Sequence, residues 1–170
     1  KNNYTAIWSN DGIFDHRFFV LQNIIRHART YGLYPKDYHS QKIDSLSKDV
    51  IDSLLTGFDV NKIAAIELLA TDAFFVLANH LHHGRVKIDS MITRVWTPEK
   101  LPVNTDSFLL AAYSNNTIRQ SLEMMEPKFE QYFLLKRELK EYIAEHKNEH
   151  WREMPDIEKD TAAYLVAVKK

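Results

Sequence analysis

The sequence contains no cysteine, which removes disulfide staples, thiolate zinc sites and cysteine nucleophiles from this chain together. Glycine and proline are scarce, at four and five residues, and they fall between periodic stretches, so long helices fit in the gaps. No apolar run approaches the roughly 20 residues that cross a bilayer. The opening KNNYTAIWSNDG also lacks the apolar stretch of a signal peptide. Because the first residue is Lys, the chain reads as a mature or trimmed piece, and truncation is expected at both ends. There is no excess of one charge: 22 Lys and Arg face 23 Asp and Glu, for a net charge of -1. A nucleic-acid module carries a basic balance or stripe, so nucleic acid is not an expected partner.

What is present suits a helical interior. Apolar residues make up 45% of the 170 and aromatics 12%, enough for one domain without help from disulfides or a structural metal. After Asp15, a candidate N-cap, Phe18, Leu21, Ile24 or Ile25, Ala28 and Tyr31 recur at steps of three to four, one face of a helix that Gly32 would stop. A second helix is predicted from Asp59 through Ile63, Ile66, Leu69, Ala73, Phe74, Leu77 and Leu81 to Gly84. It is apolar almost all round, which places it at the centre of a domain. Further helices are predicted after Asn104 or Thr105, over Thr117 to Met125, from a first-turn Pro127 along a surface helix with Phe129, Tyr132, Leu135, Leu139 and Tyr142 or Ile143 on one side, and from Asp156 onward. Residues 85 to 96 are the one stretch that could form a short strand.

Three groups of residues bear on chemistry. His146, Glu149 and His150 spell H-x-x-E-H, which sets two imidazoles one helical turn apart beside a carboxylate, as in a zinc hydrolase. A third ligand and a dry pocket are missing from the pattern, and a wet helix end with chance histidines is the favoured reading. His80, His82 and His83 cluster before Gly84 and Arg85. Without a carboxylate or thiolate on that face they read as a polar last turn facing the negative end of the helix dipole. Asp72 interrupts the apolar helix and is expected to be a buried carboxylate clamped by Arg85 or Arg119, since burial of a charge demands a partner.

From Y-G-L-Y-P-K-D-Y-H, residues 31 to 39, the sequence resembles the scaffold domain of large murein L,D-transpeptidases (YcbB-like). The likeness continues in order through L-L-A-T-D-A-F-F-V-L-A-N-H-L-H-H-G-R-V, residues 68 to 86, then Trp96, then Leu122, Pro127 and Tyr132 before a long helix, and W-R-E-M-P-D-I at 151 to 157. The resemblance implies a periplasmic or cell-envelope protein in which this domain precedes a peptidoglycan-binding module and a catalytic domain with a cysteine nucleophile. The implied role is to brace the catalytic domain that forms cell-wall peptide cross-links. Its partners would be those two domains and peptidoglycan itself. Residues carried over are architectural: Tyr31, Gly32, Leu33, Pro35, Asp37, Tyr38 and His39 shape a turn, Asp72, Gly84 and Arg85 anchor the central helix, and Trp96 and Pro127 complete the set. The expected fold is all-α, a single irregular helical domain over residues 1–170 around the central apolar helix. No catalytic residue, metal or cofactor is expected. Two rivals remain, a stand-alone interaction module with an aromatic patch of Tyr34, Tyr38 and Trp96, and a zinc hydrolase using His146 and His150.

Overall fold

Asp15 starts the first helix as its position predicts. In the computed structural model, which describes residues 6–53, 57, 59–86 and 104–146, its carboxylate accepts the N–H of Arg17 and opens α1 (His16–Arg26). Phe18, Leu21, Ile24 and Ile25 are buried along that helix, the face expected from their spacing. The predicted continuation to Tyr31 tightens into a 3-10 turn, Ala28–Tyr31, which ends where Gly32 enters the left-handed region at φ 71°. A second 3-10 turn, Pro35–Tyr38, leads into α2 (Ser40–Asp52) through His39, a non-glycine residue with positive φ (55°).

The sequence pattern understates α2 because two of its buried positions are serines, Ser40 and Ser47, beside Ile43 and Val50. Ser47 is satisfied locally: its hydroxyl donates to Asp44 O at 3.2 Å and accepts from Gln22 of α1 at 3.0 Å, while the same Gln22 amide donates to Asp44 Oδ1 at 2.9 Å. A small hairpin precedes α1, with β1 (Ser9–Asn10) antiparallel to β2 (Ile13–Phe14). Its turn is Asp11-Gly12, both with positive φ, the Asp-Gly pairing that two-residue hairpins require.

The central helix is α3 (Val60–His83), capped by the Asp59 carboxylate on the N–H of Asn61 and closed at Gly84. The 35–38 turn, α1, α2, α4 (Thr105–Ser114) and α5 (Ile118–Met124) all pack on it. Trp8, Phe18, Tyr38, Phe74, Leu77, Leu109, Ile118 and Leu122 form a continuous buried core around it. The fold is all-α apart from the hairpin, as expected. One side of α3 is open, however: Val60, Ala64, Leu68 and Asp72, spaced four apart, are exposed.

The chain divides into two compact units, residues 1–139 and 140–170. The last helix among the described residues, α6 (Glu130–Glu145), buries none of its residues. It starts three residues after Pro127, which lies in the preceding loop rather than in a first helical turn. Its half-buried side is Tyr132, Lys136, Leu139 and Ile143, while Phe129 and Leu135, expected on that side, are exposed. Most of the candidate strand at 85 to 96, Trp96, Glu149, His150, the 151–157 motif and the last predicted helix lie outside the described residues.

Candidate functional site

The two longest motifs of the resemblance meet in space. Three consecutive residues of the first, Asp37, Tyr38 and His39, each engage the second. Arg85 donates Nε–H to Asp37 Oδ2, Tyr38 Oη lies 2.9 Å from His80 Nδ1, and His39 Nε2 lies 2.7 Å from Asp72 Oδ2. The turn places them, because Pro35 presets the first 3-10 residue and the left-handed His39 reverses the chain so that its own ring faces α3. Tyr38 is the anchor, with no exposed surface. Its ring lies edge-on to the His80 imidazole at 5.7 Å.

The electrostatics follow from that burial. Burial pushes the Tyr38 phenol above its usual range, and the Asp37 charge adds to the effect. Burial also lowers His80, with Arg85 acting in the same direction and Asp37 opposing it. The hydrogen bond to Asp37 raises Arg85 further above an already high value. The Arg85 guanidinium also lies 4.6 Å from the centre of the Tyr34 ring, a cation–π contact on the outer face of the turn.

Two sequence expectations need correction here. Asp72 is not a buried carboxylate clamped by arginine: its side chain is 58% exposed and its partner is His39. It belongs to the open stripe of α3, a side that an all-round apolar pattern does not distinguish from the core side. Arg85 is paired with Asp37 instead, and Arg119 reaches Asn23 Oδ1 at 3.3 Å. The proposed aromatic patch also loses Tyr38 to the core, while Tyr34 is exposed.

The polar interruption of α3 that meets the interior is Glu67. Its carboxylate accepts the N–H groups of Ile7 and Trp8 at 2.8 and 3.0 Å and the Ser9 hydroxyl at 2.8 Å. One turn on, Thr71 Oγ1 accepts from the buried Trp8 indole at 3.0 Å. Sequence reasoning passed over Glu67, although a carboxylate four residues before a threonine inside I-E-L-L-A-T was a visible signal.

The other motif residues are placed as follows. Tyr31 is half-buried and Leu33 buried, with Leu33 N–H donating to Ala28 O at 3.1 Å. Gly32 faces Leu139, which lies 4.0 Å from where a Cβ would stand. Gly84 closes α3 with φ 78°. Near Pro127, Glu126 is buried and accepts from Lys136 Nζ at 2.8 and 2.7 Å. The same ammonium lies 4.2 Å from the centre of the Tyr31 ring. Burial and a hydrogen bond to Glu126 raise the Tyr132 phenol.

Among the described residues the histidines do not gather at one point, although the His82 and His83 rings meet edge-on at 4.5 Å. His80 turns to Tyr38, His83 Nδ1 lies 2.9 Å from Asn79 Oδ1, and His146 Nδ1 lies 2.9 Å from Tyr142 O. Among the described residues no three His, Cys, Asp or Glu side chains converge on a point that could hold a metal ion. A depression of about 170 Å³ lies between α1 and α5 and includes His16, Arg17, Asn116 and Arg119. It is below the roughly 300 Å³ of ordinary ligand sites, and Arg17 spends its donors on Asp15 and on Tyr113 O. Among the described residues no helix is long and apolar enough to cross a membrane. His39 and Asp72 are a base and a carboxylate in contact, yet no described hydroxyl bonds to that imidazole as a nucleophile would. What the constellation does is fasten a turn to a helix.

A family model described as a scaffold domain matches residues 1–139, the same bounds as the first compact unit. No curated protein and no solved structure matches the chain.

Proposed function

The chain belongs to the scaffold-domain family, and from that premise we propose that it is the non-catalytic scaffold of a periplasmic peptidoglycan L,D-transpeptidase. In this reading it braces the catalytic domain that forms cell-wall peptide cross-links. The observation that carries the proposal is the scaffold-family match over residues 1–139, joined to the ordered motifs at 31–39, 68–86 and 122–132. The chemistry of the chain is consistent with it. A cysteine enzyme needs a thiolate, and this chain has no cysteine, so the nucleophile belongs to another segment. The contacts of the turn hold geometry and leave no activated nucleophile behind. The partners are its own catalytic and peptidoglycan-binding domains and the wall polymer, in the periplasm or cell envelope.

The test is biochemical. The product of the complete reading frame, incubated with wall peptides, should form cross-links detectable by mass spectrometry, and removal of residues 1–139 should abolish or sharply reduce them. The chain of 170 residues alone should leave the peptides unjoined. Cross-linking or cleavage by this chain alone, or a reading frame without a downstream cysteine nucleophile, overturns the proposal. A second reading, a stand-alone protein-interaction module, draws on the exposed apolar residues Met124, Phe129 and Leu135. A natural protein ending near Lys170 would favour it.

A further inference from the structure

The contact between Tyr38 and His80 does more than fill space. Tyr38 is wholly buried, so its hydroxyl has no water to turn to and depends on the imidazole. The imidazole is half-buried at the last turn of α3. It has two protonation states within the ordinary pH range, unlike any other partner a tyrosine could have there. With its proton on Nε2, neutral His80 accepts the phenol O–H at Nδ1. Cationic His80 must instead donate from Nδ1, reverse the bond, and hold its charge between a buried ring and the Arg85 guanidinium.

We propose that Tyr38 and His80 form a pH-sensitive latch: the Pro35–Tyr38 turn is closed on α3 while His80 is neutral, and acid loosens it. The charged and titratable groups acting on His80 are Asp37 and Tyr38 from the turn and Arg85 from the segment after α3. On α3 itself the neighbouring imidazole is that of His83, held to Asn79. None from α1, α2, α4 or α5 is among the described groups that shift it. Asp37 would favour the cation, but Asp37 is already committed to Arg85, so its help is shared. Burial dominates and lowers the His80 value from 6.5. The sign follows: a folded-state value below the unfolded one means that the closed turn is fully stable above pH 6.5 and loses stability as pH falls below it.

The loosened element is local. The backbone bonds at stake are Asp37 N–H to Tyr34 O at 3.0 Å and Leu33 N–H to Ala28 O at 3.1 Å. Opening would release Tyr34 and Arg85 from their mutual stacking on the surface.

The experiment is a pH series on the whole chain. The His80 ring protons are followed by NMR, and hydrogen exchange at residues 33–39 is corrected for intrinsic rates. We expect the His80 midpoint below 6.5, and several-fold faster exchange in the turn at pH 5.5 than at pH 7.5, with the core of α3 unchanged. His80→Gln supplies a neutral acceptor that does not titrate and should flatten the pH dependence. His39→Gln removes the second imidazole of the turn and should leave it in place. A His80 midpoint at or above 6.5, pH-independent exchange, or an unchanged pH dependence in His80→Gln overturns the latch. The wild-type ring titration decides even if the variant does not fold.

Discussion

The body formed by α1 to α5 and the first part of α6, residues 130–139, are held by different physics. In the body, Phe18, Leu21, Phe74 and Leu77 are almost completely removed from water, and cohesion comes from apolar burial and close packing. In α6 no residue is buried. What holds its start is polar: Lys136 enters to meet Glu126, whose side chain is only 2% exposed, while Tyr132 adds a hydrogen bond to the same carboxylate and Leu139 lies near Gly32. A body held by packing tolerates loss of a surface charge. A helix held by one buried ion pair depends on both partners, because removing one strands the other.

The largest predicted effect lies in the body. Phe74→Ala removes a fully buried ring that faces Trp8 and Phe108 and should cost about 3 to 5 kcal/mol in urea or thermal unfolding. A loss below about 1 kcal/mol would mean that the packing around α3 is not what holds the body. Next comes Lys136→Met, which keeps the stem and deletes the charge, leaving the buried Glu126 carboxylate without its cation. Lys136 is itself 26% exposed, so the cost should fall at about 2 to 3 kcal/mol, below that of a fully buried pair. Hydrogen exchange should place the change in residues 130–139. Uniform loosening of the whole body would break the contrast between the two regions.

A smaller effect sharpens the electrostatic side. The Arg17 guanidinium hydrogen-bonded to Asp15 lowers that carboxyl to about 2, below its unfolded value of 3.8. The stability it contributes is therefore complete above pH 3.8 and is lost as pH falls through about 2. Asp15→Asn keeps an equally good N-cap but removes the charge. It should cost about 1 kcal/mol near neutrality and flatten the acid limb of a stability–pH curve between about pH 4 and pH 2.

These contrasts also explain what was legible beforehand. The helices with apolar faces at three-to-four spacing and recognisable caps, α1 after Asp15 and α3 between Asp59 and Gly84, could be read directly. The second helix was harder, because Ser40 and Ser47 occupy positions of its buried side and a hydrophobic pattern does not register a satisfied serine. The hairpin was missed, since only residues 85 to 96 were expected as a strand: its two-residue strands are too short for period-two alternation, although Asp11-Gly12 is a hairpin turn pair. At the site, the motifs at 31–39 and 68–86 were visible, yet their pairing was not. Spacing along a chain does not say that Asp37 reaches Arg85 while His39 reaches Asp72. Glu67 and Asp72 lie in one apolar run five positions apart, and only the fold distinguishes the one that binds the N-terminal segment from the one that faces water.

That distinction yields the smallest expected effect and the most direct test of the corrected site. Asp72→Asn removes a carboxylate whose side chain is 58% exposed, beside an imidazole that is 38% exposed. Solvent screening leaves such a pair little net energy, typically below about 0.5 kcal/mol. The asparagine oxygen can still accept from His39 Nε2. Unfolding free energies of the variant and the parent from urea titration should agree within about 0.5 kcal/mol. Exchange at the Ile43 amide, which donates to His39 O, should remain slow. A loss of about 3 kcal/mol or more, the cost of breaking a buried pair, would return Asp72 to the interior clamp that its place in an apolar helix first suggested. The open stripe of Val60, Ala64 and Leu68 would then have to be covered as well, since all four positions lie on the same side of α3.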